Sequence, residues 1–295
     1  MEVFDSKLVL LTQTELGEGP LWHHQQGKIF TVDITQGNIL AVDSDSRVLD
    51  VWSFPNYVSA LAQIDDTNLL VAEKHEVSIL NTSNGDRKVV AKLELDENVR
   101  FNECKCDRQG RFWLGTMHLE AKEGKGGFYR LDLNGQSNKI LSDLTIPNGF
   151  CWSDDDRYLF HIDSFSHEVK KYEYHAVDGT LGSFETVYKN PNPSIYLDGM
   201  CMDRNGNLWI ACWGGKQVIC VDPITKAIIA QVKVPAPHVT SCAFGGKDFE
   251  TLYITTAKLG LSDEQLERYP SSGGLFSCKV GVKGSNSFSS KILLA

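Results

Sequence analysis

Short apolar runs recur along the chain, each rich in β-branched and aromatic residues: Ile29-Phe30-Thr31-Val32-Asp33, Leu69-Leu70-Val71-Ala72-Glu73, Phe112-Trp113-Leu114-Gly115-Thr116, Leu159-Phe160-His161-Ile162-Asp163, Leu208-Trp209-Ile210-Ala211-Cys212 and Leu252-Tyr253-Ile254-Thr255-Thr256. Their starts lie 40, 43, 47, 49 and 44 residues apart, the period of a four-stranded propeller blade. A turn rich in Asp, Gly or Asn precedes each run, as in Asp107-Arg108-Gln109-Gly110 and Asp203-Arg204-Asn205-Gly206-Asn207, and such turns are hairpin signals. A third strand follows, as in Gln217 to Asp222, and then an outer one such as Ile228-Ile229-Ala230-Gln231-Val232. The expected fold class is all-β: a six-bladed β-propeller with four-stranded antiparallel blades around a central metal-binding channel.

Helical periodicity is nearly absent. The one candidate helix runs from Ser262 to Arg268 and opens with a capping-type Ser and Asp. Radially repeated sheets leave no long unpaired edge, provided that the ring closes. Lys7-Leu8-Val9-Leu10-Leu11-Thr12 lies ahead of the first blade's inner strand, so it is expected to complete the last blade, begun by Val239 to Phe244. That closure ties the two termini together, and residues 1–295 read as a single domain.

Composition narrows the function. Apolar content of 42% with 23% charged residues is globular. A net charge of −9 without any Lys/Arg cluster excludes binding to a nucleic-acid backbone. Met1 to Thr14 has neither the basic start nor the apolar run of a signal peptide, and no apolar stretch approaches the ~20 residues of a membrane span. The expectation is a cytoplasmic protein that handles a small molecule. Of the eight cysteines, Cys151, Cys201, Cys212, Cys220 and Cys242 fall inside apolar strand patterns, where a thiol behaves as a small hydrophobe. Cys104-Lys105-Cys106 has the wrong spacing for a zinc knuckle.

Four polar residues repeat with the blades. Glu18, Asn102, Asn148 and Asp198 each stand just before an apolar strand, roughly ten residues ahead of an aromatic run. In blades around an axis their oxygens would converge, and buried oxygens without partners are costly. A hard divalent cation satisfies them. With no His or Cys in the set, Ca²⁺, Mg²⁺ or Mn²⁺ is favoured over a structural Zn²⁺. Coordination positions left open to water and substrate would make such a metal catalytic. Other candidates read as structure: Trp22, Trp113, Trp152 and Trp209 as inter-blade core at corresponding strand positions, and Asp33, Asp132, Asp163 and Asp222 as turn-bonding strand ends. His118, His161 and His238 have no nucleophile paired with them in any recognisable motif.

Several stretches together resemble the family of gluconolactonase, regucalcin and luciferin-regenerating enzyme: Gly17-Glu18-Gly19-Pro20-Leu21-Trp22, Arg100-Phe101-Asn102, Gly115-Thr116-Met117, Asn148-Gly149 with Trp152-Ser153-Asp154, Asp198-Gly199-Met200 with Gly206-Asn207-Leu208-Trp209, and Ser272-Gly273-Gly274-Leu275-Phe276. They follow the family's order over nearly the whole chain. Family members are six-bladed propellers that hydrolyse sugar lactones with one divalent metal at the axis. The resemblance implies that Glu18, Asn148 and Asp198 hold the metal and that Asp198 is also the general base. It implies substrate contacts from Arg100 and Asn102, and contact of Glu120 with sugar hydroxyls. Glu103 is counted with the substrate contacts; it stands where the family usually has Asp, and its longer side chain is expected either to shrink the pocket or to change which hydroxyl it reaches. His118-Leu119 is an unusual pair ahead of Glu120.

The expectation is therefore a metal-dependent hydrolase of small sugar lactones, holding Ca²⁺, with Zn²⁺, Mn²⁺ or Mg²⁺ able to serve activity, and monomeric or weakly self-associating. Three other readings fit the same residues: a protein-binding propeller, a Ca²⁺-binding regulatory protein as in regucalcin, and a phosphotriester hydrolase. The cysteine reading has a direct check. Thiol titration of the denatured protein, kept from air, is expected to find all eight cysteines free, and fewer than about seven would contradict a reduced compartment.

Overall fold

The computed structural model describes residues 1–43, 47–285 and 287–292. The chain forms six successive four-stranded antiparallel units, each running from an innermost to an outermost strand. The innermost strands are Gly17–His23, Val58–Gln63, Val99–Cys106, Pro147–Trp152, Tyr196–Met202 and His238–Gly245. Each packs against the innermost strand of the next unit, and the sixth returns to the first. This closed ring of inner strands is what the site is built on.

Burial falls from the axis outward. The second strand of the second unit, Asn68–Glu73, is buried at five consecutive positions from Leu69, whereas the outermost Arg87–Lys92 is largely exposed. A continuous apolar run is what a strand covered on both faces requires. The covering comes from neighbouring sheets: six separate apolar clusters fill the six gaps, among them Trp22, Ile29, Val42 and Leu275 between the sixth unit and the first.

Closure uses both ends of the chain. Lys7–Leu10 pairs antiparallel with Leu275–Lys279 and supplies the outermost strand of the sixth unit. Glu2–Asp5, unforeseen from the sequence, pairs in parallel with Ala227–Lys233 on the fifth unit. Those fifth and sixth units are also joined at Trp213 and His238. The helix is Asp263–Arg268, with Ser262 and Gln265 bonding reciprocally as a capping box. Among the described residues no helix is long and apolar enough to cross a membrane. All eight cysteines are free thiols.

The four tryptophans are buried, but not at one repeated position. Trp113 and Trp209 lie on second strands, and their indole N–H groups donate to Asp107 and Asp203 of the preceding turns at 2.9 and 3.0 Å. Trp22 and Trp152 lie on innermost strands and have no such partner. The repeat is thus aromatic rather than positional. Two of the strand-ending aspartates turn out to set the inner strands: Asp33 accepts from the backbone of Glu15 and Leu16, and Asp163 from that of Thr145 and Ile146, just before Gly17 and Pro147.

His161 lies in the gap between the third and fourth units, its ring 4.8 Å from that of Phe128, and its Nε2 has no hydrogen-bond partner. Burial, with the Lys170 charge opposite, pushes its pKa down to about 3. Unfolded, it would titrate near its ordinary 6.5. The unfolded chain therefore binds the extra proton between these values, and the stability present above pH 6.5 is lost as pH falls toward 3. His161→Phe is expected to flatten that acid dependence, by up to about 1.4 kcal/mol per pH unit. Urea unfolding of both proteins at pH 7 and 4.5 reads the difference, and equal slopes would remove His161 as the cause.

Candidate metal and substrate site

Each innermost strand carries a register shift near its start: after Glu18, Val58, Phe101, Pro147, Leu197 and Val239. A bulge bends its strand and re-aims a side chain. Glu18, Ser59, Asn102, Asn148, Asp198 and Thr240 lie at these six places and are all buried. Only Gly fits beside two of them. A Cβ on Gly149 would lie 2.4 Å from the Asp198 carbonyl oxygen, and one on Gly199 2.1 Å from Ser241 Oγ.

Three of the six spend a polar group on the next inner strand. Ser59 Oγ donates to the Phe101 carbonyl at 2.6 Å, Asn102 Nδ2 to Pro147 at 3.0 Å, and Thr240 Oγ1 to Gly17 at 2.5 Å. Asn148 makes the same link through Ser164: its Nδ2 donates to Ser164 Oγ at 3.2 Å, which donates to the Leu197 carbonyl at 2.7 Å. That arrangement fixes which end of the amide is the acceptor. Asn148 Oδ1 and Asp198 Oδ1 remain buried with no partner at all, and Glu18 accepts one backbone N–H, from Gly19 at 2.8 Å.

The field at this point is negative. Burial and the Glu103 charge push the Glu18 carboxyl up to about 8, while burial, Glu18 and Glu103 hold Asp198 well above the usual carboxylate range. Arg100 is the nearby cation. Its Nη1 donates to Asn102 Oδ1 at 2.9 Å and to the Phe101 carbonyl at 2.7 Å, and its guanidinium lies over Tyr57. Burial lowers its pKa to about 10, so it keeps its charge. Among the described residues no three His, Cys, Asp or Glu side chains form a metal cluster. The donor set is two carboxylates and one amide oxygen. Such oxygens suit a hard divalent cation, and the two orphaned atoms show the fit.

Glu18, Arg100, Asn102, Asn148 and Asp198 open together into one cavity of about 330 Å³. Two of the expected substrate contacts are placed elsewhere. Glu103 borders a separate cavity that all six innermost strands line, and pairs with Lys105 at 2.6 Å. Glu120 is exposed and pairs with Lys122 at 2.8 Å, and its backbone N–H donates to His118 Nδ1 on the turn leaving the strand. The sequence reading missed Lys105, whose ammonium also donates to the carbonyls of Phe150 at 3.1 Å and Met200 at 2.7 Å. It missed Ser59, Ser164 and Thr240 as well. Superimposing Val58-Ser59-Ala60 and Val239-Thr240-Ser241 on the other bulges would have found two of these.

A closed ring of six sheets, with Glu18, Arg100, Asn102, Asn148 and Asp198 opening into one axial cavity, defines an all-β protein. Its family is shown by comparison: residues 16–258 match the SMP-30/gluconolactonase/LRE-like region, and the chain belongs to that family. A Bacillus subtilis (strain 168) protein, provisionally named sugar lactone lactonase YvrE, is 34% identical over 95% of this chain and 96% of its own. Human regucalcin is 32% identical over 94% and 95%. The crystal structure of a calcium-binding protein, regucalcin, from Agrobacterium tumefaciens str. C58 superimposes with a TM-score of 0.92 at 27% identity, covering 100% of both chains. A luciferin-regenerating enzyme gives 0.87, also at 27% identity, over 94% and 96%.

Lys105 is expected to be structural. Lys105→Met leaves Glu103 as a buried carboxylate without its counter-charge, which costs about 3 kcal/mol, the low end for a buried pair because Lys105 is 31% exposed. Adding Glu103→Gln should recover most of the loss. Chemical denaturation of the single and double variants measures this, and additive losses would refute the pairing.

Proposed function

We propose that the protein is a six-bladed β-propeller that opens small lactones, the sugar-lactone activity carried by its family name, with one divalent cation at Glu18, Asn148 and Asp198. The observation that carries this reading is the pair of buried oxygens, Asn148 Oδ1 and Asp198 Oδ1, left without partners in a ring where every other bulge side chain has one. A cation bound there would polarise the lactone carbonyl and offset the charge that develops on its oxygen.

The chain's own groups do the rest. Arg100, with one nitrogen committed to Asn102, keeps guanidinium donors for substrate oxygens and orients the ring. Asp198 takes the proton of the attacking water as a bond forms to the acyl carbon. It returns that proton to the ring oxygen as the acyl–oxygen bond breaks. Such a general base is worth about a hundredfold to ten-thousandfold in rate. Ser164 keeps Asn148 Oδ1 turned toward the cavity by occupying the amide nitrogen.

Chelation is expected to abolish lactone hydrolysis, and Ca²⁺, Mn²⁺ or Zn²⁺ to restore it to different degrees; full turnover by metal-free protein would sink the proposal. Two substitutions separate the roles. Asp198→Asn keeps an oxygen but loses charge and basicity, so kcat should fall at least about a hundredfold and metal affinity should weaken. Arg100→Ala should raise KM while leaving metal affinity within about a few-fold. Calorimetric metal titration alongside lactone kinetics reads both. The division of labour fails if Arg100→Ala loses the metal or Asp198→Asn turns over normally.

A further inference from the structure

The charged and amide groups that floor the cavity are Glu18, Arg100, Asn102, Asn148 and Asp198, and of these Arg100 alone keeps donors for a ligand. Asn102 and Ser164 bond neighbouring strands, and Glu18, Asn148 and Asp198 form the cation set. The walls are different in kind. Met117, Ile146, Phe165, Tyr196, Trp213 and Leu259 surround the floor, and neither Glu103 nor Glu120 reaches them.

These walls are anchored. Trp213 stacks on His238 with ring centroids 3.9 Å apart, and His238 Nδ1 bonds the Leu259 carbonyl at 2.9 Å, so one imidazole fixes two wall residues. Tyr196 is flanked by His167 at 4.9 Å and Phe165 at 6.0 Å. Phe165 and Leu259 remain substantially exposed at the mouth, which places apolar surface where a ring substituent would emerge.

From this contrast we propose that the site selects lactones bearing an alkyl or aryl substituent over polyhydroxylated sugar lactones. The inference rests on the lactone-hydrolase reading and narrows its substrate class. Each sugar hydroxyl carried into such walls exchanges water for an apolar neighbour and goes unpaired, which weakens binding roughly fivefold to a hundredfold. Stacking on Trp213 or Tyr196 covers only the C–H face of a sugar ring. Its hydroxyls point outward from the ring edge, and the Met117, Ile146 and Leu259 side chains of the wall carry no oxygen or nitrogen to receive them. The Tyr196 hydroxyl and the Trp213 indole N–H are the polar atoms of these six side chains, too few for a sugar lactone. An alkyl chain meets no such penalty and adds apolar burial.

The test uses the metal-loaded protein with glucono-δ-lactone and a δ-lactone carrying a pentyl chain. Calorimetric binding of the two corresponding lactams, which are not hydrolysed, is measured in parallel. The alkyl lactone is expected to exceed gluconolactone in kcat/KM by about tenfold or more, with the lactams ranked likewise. Leu259→Asn and Phe165→Asn, both at the exposed mouth, should reduce that preference about tenfold without changing metal affinity. Gluconolactone turned over as well as the alkyl lactone would overturn the inference and leave lactone hydrolysis standing. Failure to open either lactone, with metal bound, would instead overturn the hydrolase reading. In that case the lactam ranking decides the inference alone: alkyl preference supports it, and equal or reversed binding ends it.

Discussion

A polar atom taken out of water must find a partner, and at the axis of this ring there is very little room for one. Six strands converge so closely that Gly149 and Gly199 admit no Cβ. At six bulges, however, a polar side chain is turned inward. The protein resolves most of the conflict internally, since hydroxyl and amide donors reach the carbonyl of the next strand at Ser59, Asn102, Ser164 and Thr240. These bonds stitch adjacent sheets together where they are nearest. The remaining oxygens, Asn148 Oδ1 and Asp198 Oδ1, are left buried without a hydrogen-bond partner.

Charge along the axis follows the same logic. Three carboxylates, Glu18, Glu103 and Asp198, are buried near one another: the Glu103 charge raises the cost of ionising Glu18, and the Glu18 and Glu103 charges raise that of Asp198. Lys105 absorbs one of them, with the Phe150 and Met200 carbonyls completing its donors. Arg100, held between Phe101, Asn102 and Tyr57, faces the other two without bonding either in the described contacts. The axis is therefore divided into a neutralised lower part and an upper part with excess negative charge. The upper part faces the 330 Å³ cavity.

Around this centre the six apolar clusters act as a frame. Each lies between two sheets, so that no sheet is stable in its place without both neighbours. The joining of both terminal strands to the fifth and sixth units completes the frame. Rigid positioning of short polar side chains is what a site of this kind needs, since misplacement by about 1 Å degrades catalysis severely.

The amino-acid sequence by itself determined the number of sheets, their four-stranded make-up, the contribution of the Lys7 segment to the last one, the capped helix at Ser262, and the four recurring polar positions at Glu18, Asn102, Asn148 and Asp198. These are local or periodic properties: alternation, turn chemistry and a repeat near 40 to 49 residues are written along the chain. Only the tertiary structure decided which of the four keep an oxygen free. Asn102 gives its nitrogen to the Pro147 carbonyl, 45 residues away, and its oxygen to Arg100, whereas Asn148 spends its nitrogen on Ser164 and keeps its oxygen. It also decided where Glu103 and Glu120 go, the one to Lys105 and the other to the surface beside Lys122. The cavity wall could not be read in advance. Trp213, Phe165 and Leu259 come from different repeats and meet only because the ring closes, and closure is a property of all six sheets at once.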